Sequence, residues 1–230
     1  MSATPVRDTA PLALSFGKCV LFLAVFVVAY GTAMVCSYGQ ALYTWEVNGV
    51  AGSTSTLNAA TSASNITGGQ LSLTGLTATA ANTFGGSGWN LTNTFNEADD
   101  YFSFSVTPAS GYEVTYSDLK FSQGVTGTAP NTSRWGYKIG VGAFTLQTPF
   151  TSSNSTDSIW DFTNFTTADS VEFRFWTYGA TSVAGGSSGS SGASRIRNAG
   201  VDLALYGSVS LIPPSGAYTT DWHRLAGHLV

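Results

Sequence analysis

The sequence predicts an all-β protein, an antiparallel two-sheet β-sandwich resembling a jelly roll, preceded by an apolar amino-terminal signal helix. Three observations predict this fold. Apolar and polar residues alternate with a period of two in several short segments, which is typical of strands with one buried face. The segments are separated by clusters of Gly, Ser, Pro and Asn, which favour turns. No sustained apolar stripe at helical spacing occurs in the centre of the chain.

Five segments alternate most clearly, and each predicts a strand with one buried side. Shorter strands are expected at residues 42–47 and 70–74, and a short helical turn at 161–168. The residues expected on the buried faces are Phe102, Phe104 and Val106; Tyr112, Val114 and Tyr116; Trp135, Tyr137, Ile139 and Val141; Val171, Phe173 and Phe175; and Val201, Leu203 and Leu205.

The first 41 residues have the features of a secretory signal peptide. Arg7 and Lys18 precede an uncharged apolar run, residues 19–35. Small residues mark two cleavage points, after Ala33 and after Ala41, and we favour the second because the strand pattern begins next to it. An uncleaved membrane anchor is the main alternative, since the run is near the lower length limit for a spanning helix.

A lipoprotein is a further alternative, but Val35, which is not small, precedes Cys36. We therefore expect three regions: a signal peptide over residues 1–41, a β-sandwich domain over 42–212 and an irregular tail over 213–230. The predicted location is outside the cytoplasm, secreted or at the cell surface. Contact with a membrane is expected only through the amino-terminal segment, if it stays uncleaved.

Composition excludes several classes of function. The formal net charge of −4 argues against a nucleic-acid partner, because binding phosphates requires a basic face. Both cysteines lie in the first 36 residues and both histidines in the last eight. The central region alone therefore cannot form a Ser-His-Asp triad, a Cys-His pair or a His/Cys zinc site. The Gly/Ser-rich segment 184–194 predicts a flexible surface loop.

Six segments of the central region carry a family resemblance. They are residues 100–112 (DYFSFSVTPASGY), 117–121 (SDLKF), 87–90 (SGWN), 170–175 (SVEFRF), 194–198 (SRIRN) and 201–207 (VDLALYG). These segments resemble those of secreted bacterial β-sandwich proteins that carry a PEP-CTERM sorting signal. The resemblance covers most of residues 42–212 and implies an exported, surface-sorted or exopolysaccharide-associated protein of a Gram-negative bacterium.

The carboxyl-terminal tail departs from that class. The class has Pro-Glu-Pro, an apolar helix and a basic cluster, whereas this chain has Pro213-Pro214 without the Glu, and neither a long apolar run nor an Arg cluster follows. The sorting function is therefore not carried over.

Two carboxylate hypotheses follow from the sequence. Glu97, Asp99 and Asp100 lie together before a predicted strand and could hold Ca²⁺ through their oxygens; the alternative is a solvated loop. No other cofactor is expected. A polysaccharide-active enzyme would need two carboxyl groups facing each other across a cleft. Nothing in the sequence pairs two carboxylates, so we predict a non-catalytic protein and keep the enzyme as the alternative.

Glycan binding is expected on the strand at residues 171–178. Glu172, Arg174, Trp176 and Tyr178 share the face opposite Val171, and aromatic rings stack on sugars while charged groups bind hydroxyls. The alternative is that a loop covers this face and Trp176 packs. The sequence therefore predicts an exported surface or extracellular-matrix protein with a polysaccharide or cell-surface glycan as partner.

One further basic feature lies near the Gly/Ser-rich segment. Arg195 and Arg197 form a close basic pair that could meet an anionic polysaccharide, or simply lie solvated beside the flexible loop.

Export generates a first testable prediction. We expect protein recovered from outside the cytoplasm to begin at Leu42, because a signal peptidase would cut after the Gly39-Gln40-Ala41 site. Amino-terminal sequencing measures this directly. An intact Met1 on membrane-bound material would contradict it and favour the anchor.

Overall fold

Residues 39–213 are described by a computed structural model, and every regular element in this range is a β-strand. The predicted irregular tail, except for Pro213, and the predicted signal helix up to residue 38 lie outside the described residues. Within residues 39–213 there is no helix that is long and apolar enough to cross a membrane.

Seventeen strands form in this range. The first nine are β1 (Gln40–Trp45), β2 (Thr56–Asn58), β3 (Thr61–Ser62), β4 (Ile66–Gly68), β5 (Gln70–Thr74), β6 (Thr77–Ala78), β7 (Thr83–Ser87), β8 (Tyr101–Pro108) and β9 (Tyr112–Phe121). The remaining eight are β10 (Gln123–Val125), β11 (Pro130–Ile139), β12 (Phe144–Leu146), β13 (Phe150–Thr151), β14 (Ser158–Thr167), β15 (Val171–Ser182), β16 (Ala193–Arg197) and β17 (Leu203–Leu211).

The strands form three antiparallel sheets. The first has the order β14-β9-β17-β1-β3, the second β10-β16-β7-β6 and the third β12-β11-β15-β8-β5-β2. In the third, β13 also pairs with β11 and β4 with β8. The prediction of an all-β antiparallel fold is therefore confirmed, and the arrangement is consistent with a β-sandwich.

The first and last strands of the described range pair with each other. Strand β1 begins at Gln40, and its first pair joins Gln40 to Gly207 on β17. Strand β17 ends at Leu211.

The alternating residues meet in register across the third sheet. Phe104 on β8 lies opposite Phe173 on β15, and Phe102 lies opposite Phe175. Both pairs stack, with ring centroids 5.0 Å and 4.8 Å apart. Aromatic cross-strand pairs of this kind stabilise a sheet, and they fix its register because a one-residue slip would turn every ring outward.

The core lies between the sheets and is largely aromatic. Trp45 from the first sheet contacts Phe104 from the third, with centroids 4.5 Å apart. Phe121 from the first sheet lies 5.6 Å from Trp135, which is fully buried in the third. Phe84 brings the second sheet into the same core, 6.1 Å from Phe102. One hydrophobic cluster therefore joins all three sheets.

A buried polar network also links the second and third sheets. The side-chain nitrogen of Gln123 donates to the hydroxyls of Ser133 and Ser194, each at 3.0 Å. The Ser133 oxygen lies 2.7 Å from the Ser152 hydroxyl and 3.1 Å from that of Thr177. The Gln123 side-chain oxygen, by contrast, is buried without a hydrogen-bond partner. The bonds that are made favour one specific packing, since unpaired polar groups in a core are costly.

Two sequence-based expectations need correction. Residues 161–168 do not form a helical turn; most of them belong to β14, whose register with β9 shifts between Asp161 and Phe165. That irregularity lets Phe162 and Phe165 both reach Tyr137, at 5.6 and 4.4 Å, and interrupts the alternation that marks a strand. Val141, expected on a buried face, is fully exposed because β11 ends at Ile139.

The segment 184–194 is more ordered than its composition indicates. Its backbone is hydrogen-bonded to neighbouring chain: Gly189 N donates to Thr128 O, and Ser188 N to Ala180 O. A β-carbon on Gly192 would lie 2.3 Å from Thr128 O, so only glycine fits there. The segment then runs directly into β16. The predicted free loop is therefore a set of hydrogen-bonded turns.

Two valines provide a matched test of this core. Val171→Ala removes side-chain atoms from a fully buried position, and we expect it to lower the free energy of unfolding by about 2 kcal/mol. Val141→Ala is the control at an exposed position, with an expected change below about 0.5 kcal/mol. Urea titrations followed by tryptophan fluorescence measure both. Equal losses in the two variants would contradict this assignment of the buried face.

Candidate functional site

The predicted glycan-binding residues share the outer face of β15, the side opposite the aromatic core. Glu172 and Arg174 are partly exposed there, but Trp176 is only 1% exposed and Tyr178 only 8%. The aromatic half of this face is therefore covered, whereas the charged half remains accessible.

A loop that we call the strap, residues 90–100, covers the two aromatic residues. The ring of Phe95, from the strap, lies 5.3 Å from Trp176 and 5.3 Å from Tyr178. Phe144 on β12 packs against Trp176 from another side at 5.2 Å. Trp176 thus packs under a loop and offers no free ring face to a sugar. This is the alternative stated in the sequence analysis.

The charged half of the face is a compact ion network. The Glu172 carboxylate accepts a hydrogen bond from Arg174 Nε at 2.6 Å and contacts Lys138 Nζ at 2.9 Å. Burial alone would raise the pKa of Glu172, but the hydrogen bonds and positive charges of Arg174 and Lys138 together lower it. Glu172 is therefore held ionised between two cations.

Aromatic rings orient the cations of this face. The Arg174 guanidinium lies 4.0 Å from the centroid of the Tyr101 ring and 4.8 Å from that of Phe144. The Arg134 guanidinium lies 4.4 Å from the centroid of Phe95. Such cation–π contacts hold the planar guanidinium groups in fixed orientations.

The strap is organised by its own side chains. The Asn90 amide nitrogen donates to Asp99 Oδ2 at 2.5 Å and to Thr94 O at 3.1 Å, while Asn90 Oδ1 accepts from the Thr92 backbone and hydroxyl. The Asn96 amide nitrogen donates to Asp99 Oδ1. These hydrogen bonds between residues of the strap hold it in a compact conformation.

Three further bonds tie the strap to β15. Ala180 N donates to Asn93 Oδ1 at 2.9 Å, Arg174 Nη1 donates to Glu97 O at 3.1 Å, and Gly179 N donates to Asn90 O at 3.1 Å. The strap is therefore attached to the sheet through these three bonds and the ring of Phe95.

An open cleft of about 400 Å³ lies along the strap. Each residue that lines it carries a hydroxyl, amide or carboxylate side chain. Thr92, Thr94 and Asn96 are exposed there, and the Thr92 hydroxyl and the Asn96 amide also take part in hydrogen bonds within the strap. The residues that line the cleft are Asn90, Thr92, Thr94, Asn96, Asp99 and Asp100.

The structure brings together two of the three residues expected to bind calcium. Asp99 and Asp100 line the cleft, whereas Glu97 does not. Burial, with a further contribution from the charge of Asp99, raises the pKa of Asp100. No group of three or more His, Cys, Asp or Glu side chains within residues 39–213 is placed to share a metal ion.

A second carboxyl pair, Glu46 with Asp202, has a structural role. Asp202 is 4% exposed, and its two oxygens accept hydrogen bonds from Val47 N at 2.7 Å and Ala199 N at 3.1 Å. Burial, together with the neighbouring Glu46, raises the pKa of Asp202. Both Asp202 oxygens thus tie chain segments together, and no local pattern could indicate this role because 155 positions separate Val47 from Asp202.

The basic pair near the Gly/Ser-rich segment is largely engaged in packing. Arg197 Nε donates to Ser155 O at 3.2 Å, and its Nη2 donates to Thr156 Oγ1 at 2.8 Å. Burial lowers the pKa of Arg195. This pair is less accessible than expected of a solvated basic patch.

Several site residues were missed from the sequence: Arg134, Phe95, Asn90 and Asn96. One signal was available, because Phe95 is the only aromatic residue between Trp89 and Tyr101. A single ring in a polar loop indicates a contact that holds the loop down. The position of Arg134 beneath that ring depends on strand pairing, which puts Arg134 opposite Trp176.

The ion network generates a prediction about pH. Since the pKa of Glu172 is lowered in the fold, its contribution to stability is full above the ordinary value of 4.5 and is lost as pH falls through the folded value. We expect Glu172→Gln to lower the free energy of unfolding by about 1 kcal/mol at pH 7. The difference from wild type should shrink as the pH falls below 4.5.

Urea titrations at pH 7 and pH 3 measure this effect. The matched control is Glu97→Gln, at an exposed carboxylate whose side chain has no ion pair within residues 39–213. If Glu172→Gln lowers the free energy of unfolding by the same amount at both pH values, the ion network does not explain the stabilisation by Glu172.

Neither a protein-family model, nor a curated protein, nor a solved structure matches this chain.

Proposed function

We propose that this is an exported, non-catalytic surface or extracellular-matrix protein that binds glycans in the cleft along the strap. The resemblance to PEP-CTERM-sorted bacterial proteins supports the export and the location in a Gram-negative bacterium. The cleft supports the binding role, since its walls carry the groups that sugar hydroxyls bind.

The single observation behind this proposal is the chemistry of the cleft walls. Exposed Thr94 and Asn96 supply both donors and acceptors, and Asp99 and Asp100 supply acceptors. A ligand with many hydroxyl groups matches such a surface. Stacking contributes less than the sequence predicts, because the ring of Phe95 is already in contact with Trp176, Tyr178 and Arg134.

The alternative function is a polysaccharide-active enzyme, and one observation favours it. Two carboxyl groups, Asp99 and Asp100, line the same cleft, and the pKa of Asp100 is raised as expected of a general acid. These two residues are consecutive in one loop, however, and both Asp99 oxygens accept amide hydrogen bonds. A glycosidase needs its two carboxyl groups on opposite sides of the bond to be cleaved, so binding is the better-supported function.

For the fold we propose a two-layer jelly-roll sandwich. In this arrangement β10 and β16 continue the layer of β9 and β17, and the third sheet is the other layer. Two backbone bonds support this continuity, from Ser122 N to Asp202 O and from Arg197 N to Ser122 O. The signal peptide and the outer location complete the proposal.

A glycan array tests the binding proposal. We expect wild type to bind polysaccharide fragments, and Asn96→Ala to lose about tenfold in affinity, because one or two hydrogen bonds are removed. The matched control is Asn198→Ala, at an exposed asparagine outside the cleft, and it should bind like wild type.

Two outcomes would contradict the proposal. If wild type binds no glycan, the proposed binding function is wrong. If Asn96→Ala binds glycan as tightly as wild type, the cleft is not the binding site. Release of reducing ends from a bound polysaccharide, abolished in Asp100→Asn, would favour the enzyme instead.

A further inference from the structure

The outer face of β11 and β15 concentrates positive charge on an acidic protein. Residues 39–213 contain eleven acidic and six basic side chains. Three of the six bases, Arg134, Lys138 and Arg174, lie on this one face, and Glu172 is the acid that lies among them on the two strands. We call these three bases the cationic face.

Arg134 is the member of the cationic face that lacks an acidic partner. Lys138 and Arg174 both contact Glu172, at 2.9 and 2.6 Å. Within residues 39–213, Arg134 takes part in no ion pair, and its buried Nε has no hydrogen-bond partner. The side chain is nevertheless held in place, because its guanidinium packs on Phe95 at 4.4 Å.

An oriented guanidinium without a partner has a specific ligand preference. Its planar array of N–H donors matches the two oxygens of a carboxylate, and bidentate pairing is stronger than a neutral hydrogen bond. Single-stranded DNA is the competing ligand that the experiment has to distinguish, because its phosphates would also pair with a guanidinium.

Phe95 connects the cleft to this cation. It lies between Thr94 and Asn96 in sequence, and both of these residues line the cleft, while its ring packs on Arg134 of β11. A chain of sugars with carboxylate substituents would therefore meet hydroxyl-binding groups on the strap and a cation on the strand beneath Phe95.

We propose that the glycan is acidic, a uronic-acid polysaccharide whose carboxylate pairs with Arg134 while its hydroxyls bind in the cleft. This inference rests on the proposed glycan-binding function and adds the charge of the ligand. Asp99 and Asp100 accept hydroxyl hydrogens in this scheme, and the carboxylate of the sugar lies away from them, at Arg134.

The experiment compares two polymers with the same backbone. Isothermal titration calorimetry of the full chain is carried out with polygalacturonate and with its fully methyl-esterified form, which keeps the ring hydroxyls but loses the charge. We expect wild type to bind the acidic polymer at least tenfold more tightly. Arg134→Gln should remove that tenfold preference and leave binding of the ester unchanged.

Two further variants distinguish the effect of losing positive charge from the effects of losing the planar guanidinium and of misfolding. Lys120→Gln removes one positive charge from β9, in the first sheet, and should keep the preference for the acidic polymer. Arg134→Lys keeps the charge but loses the planar donors, so its preference should fall between wild type and Arg134→Gln. Arg134→Lys also serves as the test variant if circular dichroism shows that Arg134→Gln is unfolded.

The outcomes distinguish this inference from the function on which it rests. Wild type that binds the ester as tightly as the acid overturns the inference and leaves glycan binding intact. Binding of neither polymer, together with an array that shows no glycan, overturns both proposals. Equal loss of preference in Lys120→Gln and Arg134→Gln overturns the assignment to Arg134, as does equal affinity for single-stranded DNA and polygalacturonate.

Discussion

Aromatic packing between the sheets is the interaction on which the rest of the structure depends. Phe102 and Phe175 stack across neighbouring strands, and the fully buried Trp135 lies 5.5 and 5.0 Å from them. The described region contains no cysteine, so no disulfide can share this role. Packing of rings in fixed orientations also holds β11 and β15 in the register that puts Arg134 opposite Trp176. The candidate site on the outer face is thus a consequence of the order on the inner face.

Strand β15 is buried on its inner face and over half of its outer face, unlike a strand with one face in solvent. Its inner side belongs to the core, and the second half of its outer side lies under Phe95 and Phe144. The outer side therefore divides into a covered aromatic half and an accessible ionic half. In the proposed function, a glycan therefore contacts the polar groups of the strap and the cations beside it, and ring stacking has a minor part.

Local pattern was sufficient to predict much of the fold and little of the site. The alternation at residues 101–106 and 171–175 identified β8, β15 and their buried faces, because a strand with one buried side has only one periodicity. The alternation of apolar and polar residues is interrupted where a strand is irregular, and the sequence of β14 therefore predicts a helical turn in place of a strand. It also cannot show what covers the outer side, so the burial of Trp176 had to come from tertiary structure. The pairing of Arg134 with Phe95 has the same origin, since residues 39 positions apart carry no mutual signal in a single sequence.

The attachment of the strap has a consequence for how this protein could diversify. The strap is joined to the sheet by Phe95, by the bonds from Ala180 and Gly179, and by the bond from Arg174 to a backbone oxygen. Within the described residues, the side chain of Thr94 takes part in none of the bonds that fold the strap, whereas those of Thr92 and Asn96 do. Substitutions at Thr94 are therefore nearly free of folding constraints. A lineage could exchange this position to follow changes in a ligand, while the rest of the strap stays in place.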